Sequence, residues 1–555
     1  MEFDYFSKGV YNISHLFGQK ETAKAMQLSD SARMREADAA AIAGGIDSLT
    51  LMENAAEALA DEMEREAETA AEAFGPTAAG ECSTGEDRCG FTVGTEKTAV
   101  LLCGAGNNGG DGFAAAHCLK RRGWGVQVFF VGEHAKMTAD CREMARRFVA
   151  DGGAVADFDP ANPRQTAAVL GAAVVGDAIF GIGLNAPVQG AAAMAINLLN
   201  SCPAPIVAAD IPSGVEADTG RILGDAVCAS ATVTFTRAKP GHFVEPGCVC
   251  CGAVRVRDIG IPAQLADRAE IPVSAVLPGE LKLPVRYPVT HKGDYGRLLL
   301  LGGSVGYTGA PALAALAALR AGAGLVTLAV PESIYAIEAA KCDEAMPAPL
   351  PSENGRLAEG AVDALAALAG RADVCAAGPG LGRGPGVTAA VRWLLENWHK
   401  PLVLDADALN AAAEMPDALC AHRGELLLTP HEGEFVRLGG ELTGDRLGDA
   451  RRAARAWGCT LLLKGHRSIL AFPDGTAHIL TNGNPGMAKG GSGDVLTGVA
   501  AALAGQLPWR RAVLTAAYLH ALAGDLGRDK FGEYGLLAGD IIELLPAAER
   551  SIMEE

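Results

Sequence analysis

Aromatic residues are scarce, at 5% of 555 residues, and basic ones are outnumbered: 47 Lys and Arg stand against 66 Asp and Glu, a formal net charge of −19. That deficit argues against a nucleic-acid backbone or an anionic membrane surface as the main partner. No run of ~18 or more uncharged apolar residues occurs, so a membrane span is not expected. The opening MEFDYFSKGVYNISHLFG lacks both a basic stretch and an unbroken apolar one, so no secretory signal is expected there, and the expected location is cytoplasmic. The 14 cysteines have no disulfide-scaffold density over this length. Several sit in apolar runs, such as Cys103 in AVLLCG and Cys375 in ADVCAAG, and the cluster Cys248, Cys250 and Cys251 has no second pair at zinc-finger distance. They read as reduced thiols with packing roles. What remains is 49% hydrophobic residues, 20% charged residues and 69 glycines: a globular, aliphatic α/β chain with many loops built from backbone.

The length calls for two or more cores. From Met34 the run MREADAAAIAGGIDSLTLMENAAEALADEMEREA has helical spacing, and residues 75–95, rich in Gly, Thr and Glu, predict a surface loop. TAVLLCG, GVQVFFVG, AAVVGDAIF, PIVAADIP and ATVTFTR predict strands of a parallel sheet with helices on both faces. The stretch IPAQLADRAEIPVSAVLPGELKLP, where proline content rises, interrupts that rhythm. GRLLLLGG, LVTLAVP, ADVCAAGPG, PLVLDADAL, ELLLTPHEG, TLLLKG and HRSILAFP then resume it. The expected layout is an extension at 1–25, a domain at 26–272, a linker at 273–284 and a second domain at 285–555. The halves share no motifs, so they should carry different chemistry.

In a doubly wound sheet, ligands bind beyond the carboxyl ends of the strands. Three strands of the first half run into polar, glycine-bearing loops: Gly104 to Gly112 (GAGNNGGDG), Asp177 to Leu184 (DAIFGIGL) and Asp210 to Gly214 (DIPSG). The literal GxGxxG in the first is a weak dinucleotide signal, and Asp111 would meet a pyrophosphate with like charge. Asn108, Asp177 and Ser213 are hard oxygen donors suited to a cation, leaving Asp111 and Asp210 for acid–base work or hydroxyl binding. A plainer reading makes each Asp or Ser a helix N-cap, but three such loops at once argue against it.

LMENAA, GNNGGDG, DAIFGIG, DIPSG and the later KPGH at Lys239 to His242 resemble the NAD(P)H-hydrate epimerase domain over roughly residues 26–270. The resemblance implies a Rossmann-like three-layer α/β/α fold, a hydrated nicotinamide dinucleotide as substrate and a bound potassium ion. It places the substrate on Asn107, Asn108, Gly109, Gly110 and Asp111, on Gly181, Ile182, Gly183, Leu184, Asn185, Ala186 and Pro187, and on Asp210. Potassium falls on Asn108, Asp177 and Ser213, and Asp210 is the catalytic acid–base group.

The sharpest motif of the second half is NPGMAKGGSGD, Asn484 to Asp494, followed by the apolar run VLTGVAAALAG. Glycines before a helix turn several N–H groups toward one point, an anion hole, and Asp494 at the helix start can act as a base on a substrate hydroxyl. It is not a Walker A loop, because no GK[ST] stands at the required spacing. HKGDYG, GYTGAP, GPGLG, LDADALN, TPHEGE and LLLKG converge on the same strand ends. Together these motifs resemble the ADP-dependent NAD(P)H-hydrate dehydratase of the ribokinase-like superfamily, over roughly 285–548. The resemblance implies a ribokinase-like α/β/α fold in which Ala310, Gly380, His431 and Asp494 contact the hydrate. Lys464, Gly465, His466, Arg467, Ser468 and Gly493 would hold the adenine nucleotide, with ADP as co-substrate and Mg2+ expected.

The combined expectation is a bifunctional NAD(P)H-hydrate repair enzyme. Its partners are the hydrates of NADH and NADPH and ADP, and it is expected to form a homo-oligomer. The rivals are a vitamin-precursor or sugar kinase fused to a dinucleotide-binding domain, an oxidoreductase using GAGNNG with Glu133 as ribose acid, and a first domain that serves only for dimerisation.

Overall fold

The computed structural model describes residues 26–74, 97–267, 272–276, 281, 283, 286 and 288–553. The extension at 1–25 and the loop at 75–95 lie outside the described residues. The described chain falls into two compact units, one of Gln27–Glu270 and one of Ile271–Glu555 together with Met26. Among the described residues no helix is long and apolar enough to cross a membrane.

The first unit is a seven-stranded sheet: β1 (Thr98–Cys103), β2 (Gly125–Phe130), β3 (Ala154–Asp157), β4 (Val174–Ala178), β5 (Ile206–Ala209), β6 (Ala231–Phe235) and β7 (Ala253–Arg257). The spatial order is β3-β2-β1-β4-β5-β6-β7 and every pairing is parallel. Alternation along each strand divides the side chains between two cores. Leu101, Val128 and Val174 join Leu59, Met63, Phe113 and Leu119 on one face, and Leu102, Phe129 and Val175 join Ile196 and Leu199 on the other. Strand order reverses between β1 and β4, so the loops after those two strands flank a crevice at the switch point.

Two strands of the first unit escaped the sequence reading, both at the edges of its sheet. Ala154–Asp157 is exposed along most of its length and so needs no apolar run. AVRVR at β7 alternates with arginines, one of which, Arg255, is buried against Glu62 with Nε–Oε1 3.4 Å.

In the second unit the strands are β8 (Val273–Ala275), β9 (Arg297–Leu301), β10 (Leu325–Pro331), β11 (Met346–Leu350), β12 (Val374–Ala377), β13 (Leu402–Leu404), β14 (Leu426–Leu428), β15 (Thr460–Leu463), β16 (Ile469–Ala471) and β17 (Ala477–Ile479). They run in the order β8-β17-β16-β15-β14-β13-β12-β9-β10-β11, parallel except where β16 pairs antiparallel with β15 and β17. The segment read as a linker at 273–284 therefore opens with a strand, held in register by β17. Helix Ser492–Ala504 crosses helix Gly309–Arg320 so closely that a Cβ on Gly498 would lie 2.1 Å from the Ala314 carbonyl oxygen. Alanine and glycine on both helices are what permit that approach.

Candidate active sites

In the first unit β1 delivers the chain to Gly104, whose N–H bonds the Ala178 carbonyl at 2.9 Å. A Cβ there would fall 2.0 Å from the Ile179 carbonyl oxygen, so only glycine lets the two switch-point loops touch. The segment read as a loop through Gly112 is helical from Asn107 onward, in helix Asn107–Arg121. Asn108 is buried, and its carboxamide nitrogen and oxygen both lack a hydrogen-bond partner. Asp177, fully buried at the end of β4, accepts from Ser213 N at 2.8 Å, Ser213 Oγ at 2.6 Å and Ile179 N at 3.3 Å. Burial nevertheless pushes its carboxyl up to about 6 against those hydrogen bonds.

Asp210 follows β5 in the left-handed region, φ 64°, a conformation Asp tolerates better than bulkier residues. Its Oδ1 accepts from Lys239 Nζ at 2.5 Å and Thr234 Oγ1 at 3.0 Å, and Lys239 also donates to Thr234 Oγ1 at 2.8 Å. His242 Nδ1 accepts the Lys239 N–H at 2.9 Å, so its Nε2–H donates to the Asp210 carbonyl at 2.8 Å. Burial, with the nearby Lys239 charge, lowers that imidazole to about 4, and it is neutral. Burial alone would raise the Asp210 carboxyl, but the Lys239 ammonium outweighs it and holds the group below the usual carboxylate range. Two further acids face the same space with the opposite shift. Burial, then the Asp210 charge, raises both Asp111 and Asp38.

Asp38, Asp111, Asp210 and Lys239 line a cavity of about 1070 Å³ together with Asn107, Asn108 and Gly181 through Ala186. Of the expected substrate contacts, Gly109, Gly110 and Pro187 do not line it. The two glycines pack instead: a Cβ on Gly109 would sit 1.9 Å from Gly104 O, and one on Gly110 would sit 2.7 Å from the Met52 side chain. Asp177 and Ser213 lie behind the wall, joined to it where Phe180 N–H donates to Ser213 Oγ at 2.8 Å. Asp38 and Arg35 were missed by the sequence reading. They lie on helix Ser31–Ala43, whose Met34, Arg35, Asp38 and Ile42 form one wall, with Arg35 Nη2 on the Ile182 carbonyl at 3.0 Å. The i, i+4 spacing of polar and apolar positions there was the available signal. Lys239 was noted only as part of a motif.

In the second unit Gly491, φ 98°, turns the chain into helix Ser492–Ala504, placing Asp494 in its first turn. Burial, then the Asp405 charge, lifts the Asp494 carboxyl to about 7, with Lys464 pulling the other way. Gly493 stands beside Asp405 and Lys464: a Cβ on it would lie 3.4 Å from Asp405 Oδ2 and 3.5 Å from Lys464 Nζ. Lys464, expected as a nucleotide contact, is ion-paired with Asp405 Oδ1 at 2.8 Å and lies 3.8 Å from Glu434 Oε2. The following turn is closed by Ser468 Oγ, which donates to Gly465 O at 3.0 Å, while Arg446 reaches the Lys464 and His466 carbonyls at 3.3 and 3.4 Å. Arg467, φ 59°, completes it.

Gly380, φ 65°, lies against Ala310, whose Cβ would be 3.2 Å from a Cβ on the glycine. Ser304 Oγ fixes the Gly380 carbonyl at 2.7 Å. His431 caps helix Glu432–Arg437, its Nδ1 accepting from Gly433 N at 3.0 Å, with the ring half exposed. That cap leaves Nε2 3.6 Å from Glu434 Oε1. His520 and Asp525 were not anticipated. They sit among apolar residues of helix Trp509–Gly535, where His520 Nε2 meets Ser492 Oγ at 3.3 Å and Asp525 accepts from Gly483 N and Asn484 Nδ2, each at 2.9 Å.

The family model described as NAD(P)H-hydrate dehydratase matches residues 298–547, and that of the YjeF-related protein N-terminus matches residues 48–241. The bifunctional NAD(P)H-hydrate repair enzyme of Moorella thermoacetica is 44% identical over 466 residues, 82% of this chain and 88% of that protein. The enzyme of the same name from Escherichia coli K12 is 35% identical over 456 residues, 80% and 84% of the two chains. Among solved structures, the ADP/ATP-dependent NAD(P)H-hydrate dehydratase of Bacillus subtilis, co-crystallised with ATP and Mg2+, is 31% identical, covering 49% of this chain and 95% of that one with a TM-score of 0.42. With both halves matched and the identity to full-length relatives sustained over four fifths of the chain, the protein belongs to the family of bifunctional NAD(P)H-hydrate repair enzymes.

Proposed function

We propose that the first unit interconverts the R and S hydrates of NADH and NADPH, and that the second restores the S hydrate to NAD(P)H at the expense of ADP, releasing AMP and phosphate. In these hydrates water has added across the nicotinamide 5,6 double bond, so the hydroxyl-bearing carbon is bonded to the ring nitrogen. Nitrogen lone-pair assistance lets that hydroxyl leave and return, which scrambles the centre. A stereospecific dehydratase strands one epimer, and an epimerase supplies it.

In the first unit, loss of the hydroxyl as water leaves a cationic ring. Asp210, expected as the acid–base group, is kept ionised by Lys239 and instead stabilises that cation, while Asp111 carries a proton for the departing oxygen. Asn108, Asp177 and Ser213 fit a potassium ion: all offer oxygen, and the buried Asn108 carboxamide has an unsatisfied acceptor that a cation would complete. Such an ion would tie the switch-point loops together. Added KCl should then raise the thermal midpoint of the protein relative to LiCl, and Asn108→Ala should erase that difference. An equal midpoint in both salts for the unsubstituted protein would remove Asn108, Asp177 and Ser213 as ligands.

In the second unit hydroxide is a poor leaving group, and phosphorylation makes it a good one. Asp494 takes the hydroxyl proton, and the oxygen attacks the terminal phosphorus of ADP, so that AMP departs. The phosphate ester then eliminates as the adjacent ring carbon loses a proton, restoring the double bond. The N–H groups at the start of helix Ser492–Ala504 face the charge that builds on the phosphoryl oxygens. Mg2+ would arrive on the nucleotide phosphates, whose oxygens are the hard ligands it prefers.

The observation that carries this reading is the Asp494 carboxyl, raised by burial to about 7, in the first turn of a glycine-preceded helix and beside the half-buried Lys464. The test is incubation of both hydrate epimers with the protein, Mg2+ and ADP or ATP, following near-ultraviolet absorbance. Complete recovery of reduced coenzyme is expected. A stable phosphorylated product without recovery would favour the kinase rival instead.

A further inference from the structure

We infer that Asp405 is the positioning residue of the second unit's site: one buried carboxylate that binds the segments bearing the base, the nucleotide turn and the His431 loop into a single rigid frame. The inference rests on Asp494 being the base. Asp405 ends β13 and is 1% exposed, so it reaches neither substrate nor solvent. Each of its contacts goes to a different element. Oδ1 accepts from Thr429 Oγ1 at 2.8 Å, two residues before His431, and from Lys464 Nζ at 2.8 Å, the first residue of the nucleotide segment. Oδ2 accepts from Thr497 Oγ1 at 2.9 Å, one turn beyond Asp494 on the same helix. Its carbonyl oxygen is approached so closely by Gly378 that a Cβ there would lie 1.8 Å away, locking in the GPGLG segment that carries Gly380.

The charge arrangement adds a second function to the frame. Asp494 is faced by Asp405 and Asp407 from the β13 end and by Lys464 from the β15 end. Lys464 is in turn faced by Glu434 of helix Glu432–Arg437, while His520 of helix Trp509–Gly535, lowered to about 4 by burial, is neutral. Helix Gly309–Arg320 meets helix Ser492–Ala504 with uncharged residues, Leu313 beside Gly491 and Ala314 beside Gly498. Because Asp405 holds the lysine, the ammonium is not free to clamp Asp494, and Asp494 keeps its proton affinity high enough to serve as a base.

Asp405→Asn removes the charge with little change of shape. Lys464 should then swing its charge to Asp494, and the loss of a negative neighbour acts in the same direction. The expected result is a fall in kcat for dehydration of about 10- to 100-fold, with the acid limb of its pH profile moved about one unit lower. A residue that merely supported the fold would lower the thermal midpoint without moving the limb, so a limb superimposed on that of the unsubstituted protein overturns the inference. If Asp405→Asn does not fold, Thr497 decides. Thr497→Val should lower kcat about fivefold or more with the KM for ADP within about twofold, and Thr497→Ser should restore it. Equal kcat in the valine and serine variants overturns it as well. Asp494→Asn run in parallel separates the two claims: if that variant still dehydrates, the assignment of the base is wrong, whereas if it is inactive and the Asp405→Asn limb stays put, only the present inference fails.

Discussion

Asp494→Asn should leave the protein folded and reduce recovery of reduced coenzyme by about 10²–10⁴-fold, the usual contribution of a positioned base. The carboxyl near 7 also fixes a pH dependence. The base is competent only when ionised, so kcat for dehydration should climb as pH rises through about 7, and near pH 6 only about a tenth of the sites hold a carboxylate. In the asparagine variant the residual rate should be flat across that window. Stability runs the other way. The folded carboxyl binds its proton more tightly than the unfolded one, so its contribution to folding is lost as pH rises from the unfolded value near 4 through about 7. Removing the acid should therefore leave the thermal midpoint at pH 8 unchanged or higher. Steady-state kinetics over pH 5.5–8.5 with calorimetry on the same samples reads both quantities. Near-normal turnover in the variant would exclude Asp494, and a midpoint several degrees lower would mean that the carboxylate supports the fold.

Much of this was legible because it lies in strand ends and glycines. A strand buried on both faces must be a continuous apolar run, and the segments around β1, β4, β5 and β14 announced themselves that way. The glycine-bearing turns after them were readable because only glycine fits a backbone contact such as that of Gly104 with Ile179. What stayed hidden depends on distance across the fold. Asp38 enters the cavity from a helix some 70 residues before Asp111 and pairs with nothing in sequence. Lys464 was expected to hold the nucleotide, but its ion pair with Asp405, 59 residues away, has no signal in the sequence. The edge strands Ala154–Asp157 and Ala253–Arg257 carry little or no apolar run because one side of each sees solvent or a charged helix face. The roles of Gly109 and Gly110 illustrate the converse: the motif is visible, but whether a glycine admits a ligand or a neighbouring residue is decided by packing alone.

Asp210→Asn should abolish epimerisation while dehydration of the S hydrate continues at its normal rate. Asparagine suits the left-handed conformation at this position, φ 64°, so the backbone need not move. The charge is another matter. Lys239 is 1% exposed and its ammonium would lose its counter-ion, and breaking a buried pair in that way costs about 3–5 kcal/mol. Asp111 and Asp38, both normally raised by burial and by the Asp210 charge, can offset part of that cost by giving up a proton to face the lysine. The single variant should thus be inactive in epimerisation and less stable in its first unit. The double variant Asp210→Asn, Lys239→Met removes the stranded charge; it should regain most of the lost stability and none of the activity. With both hydrate epimers and excess ADP, the unsubstituted protein should recover all of the coenzyme, whereas both variants should stop after the S fraction, apart from slow spontaneous interconversion. If the double variant cleared the R fraction at the normal rate, the Asp210–Lys239 pair would be a fold element rather than part of the chemistry, and the cation-stabilising role would have to pass to Asp111 or Asp38.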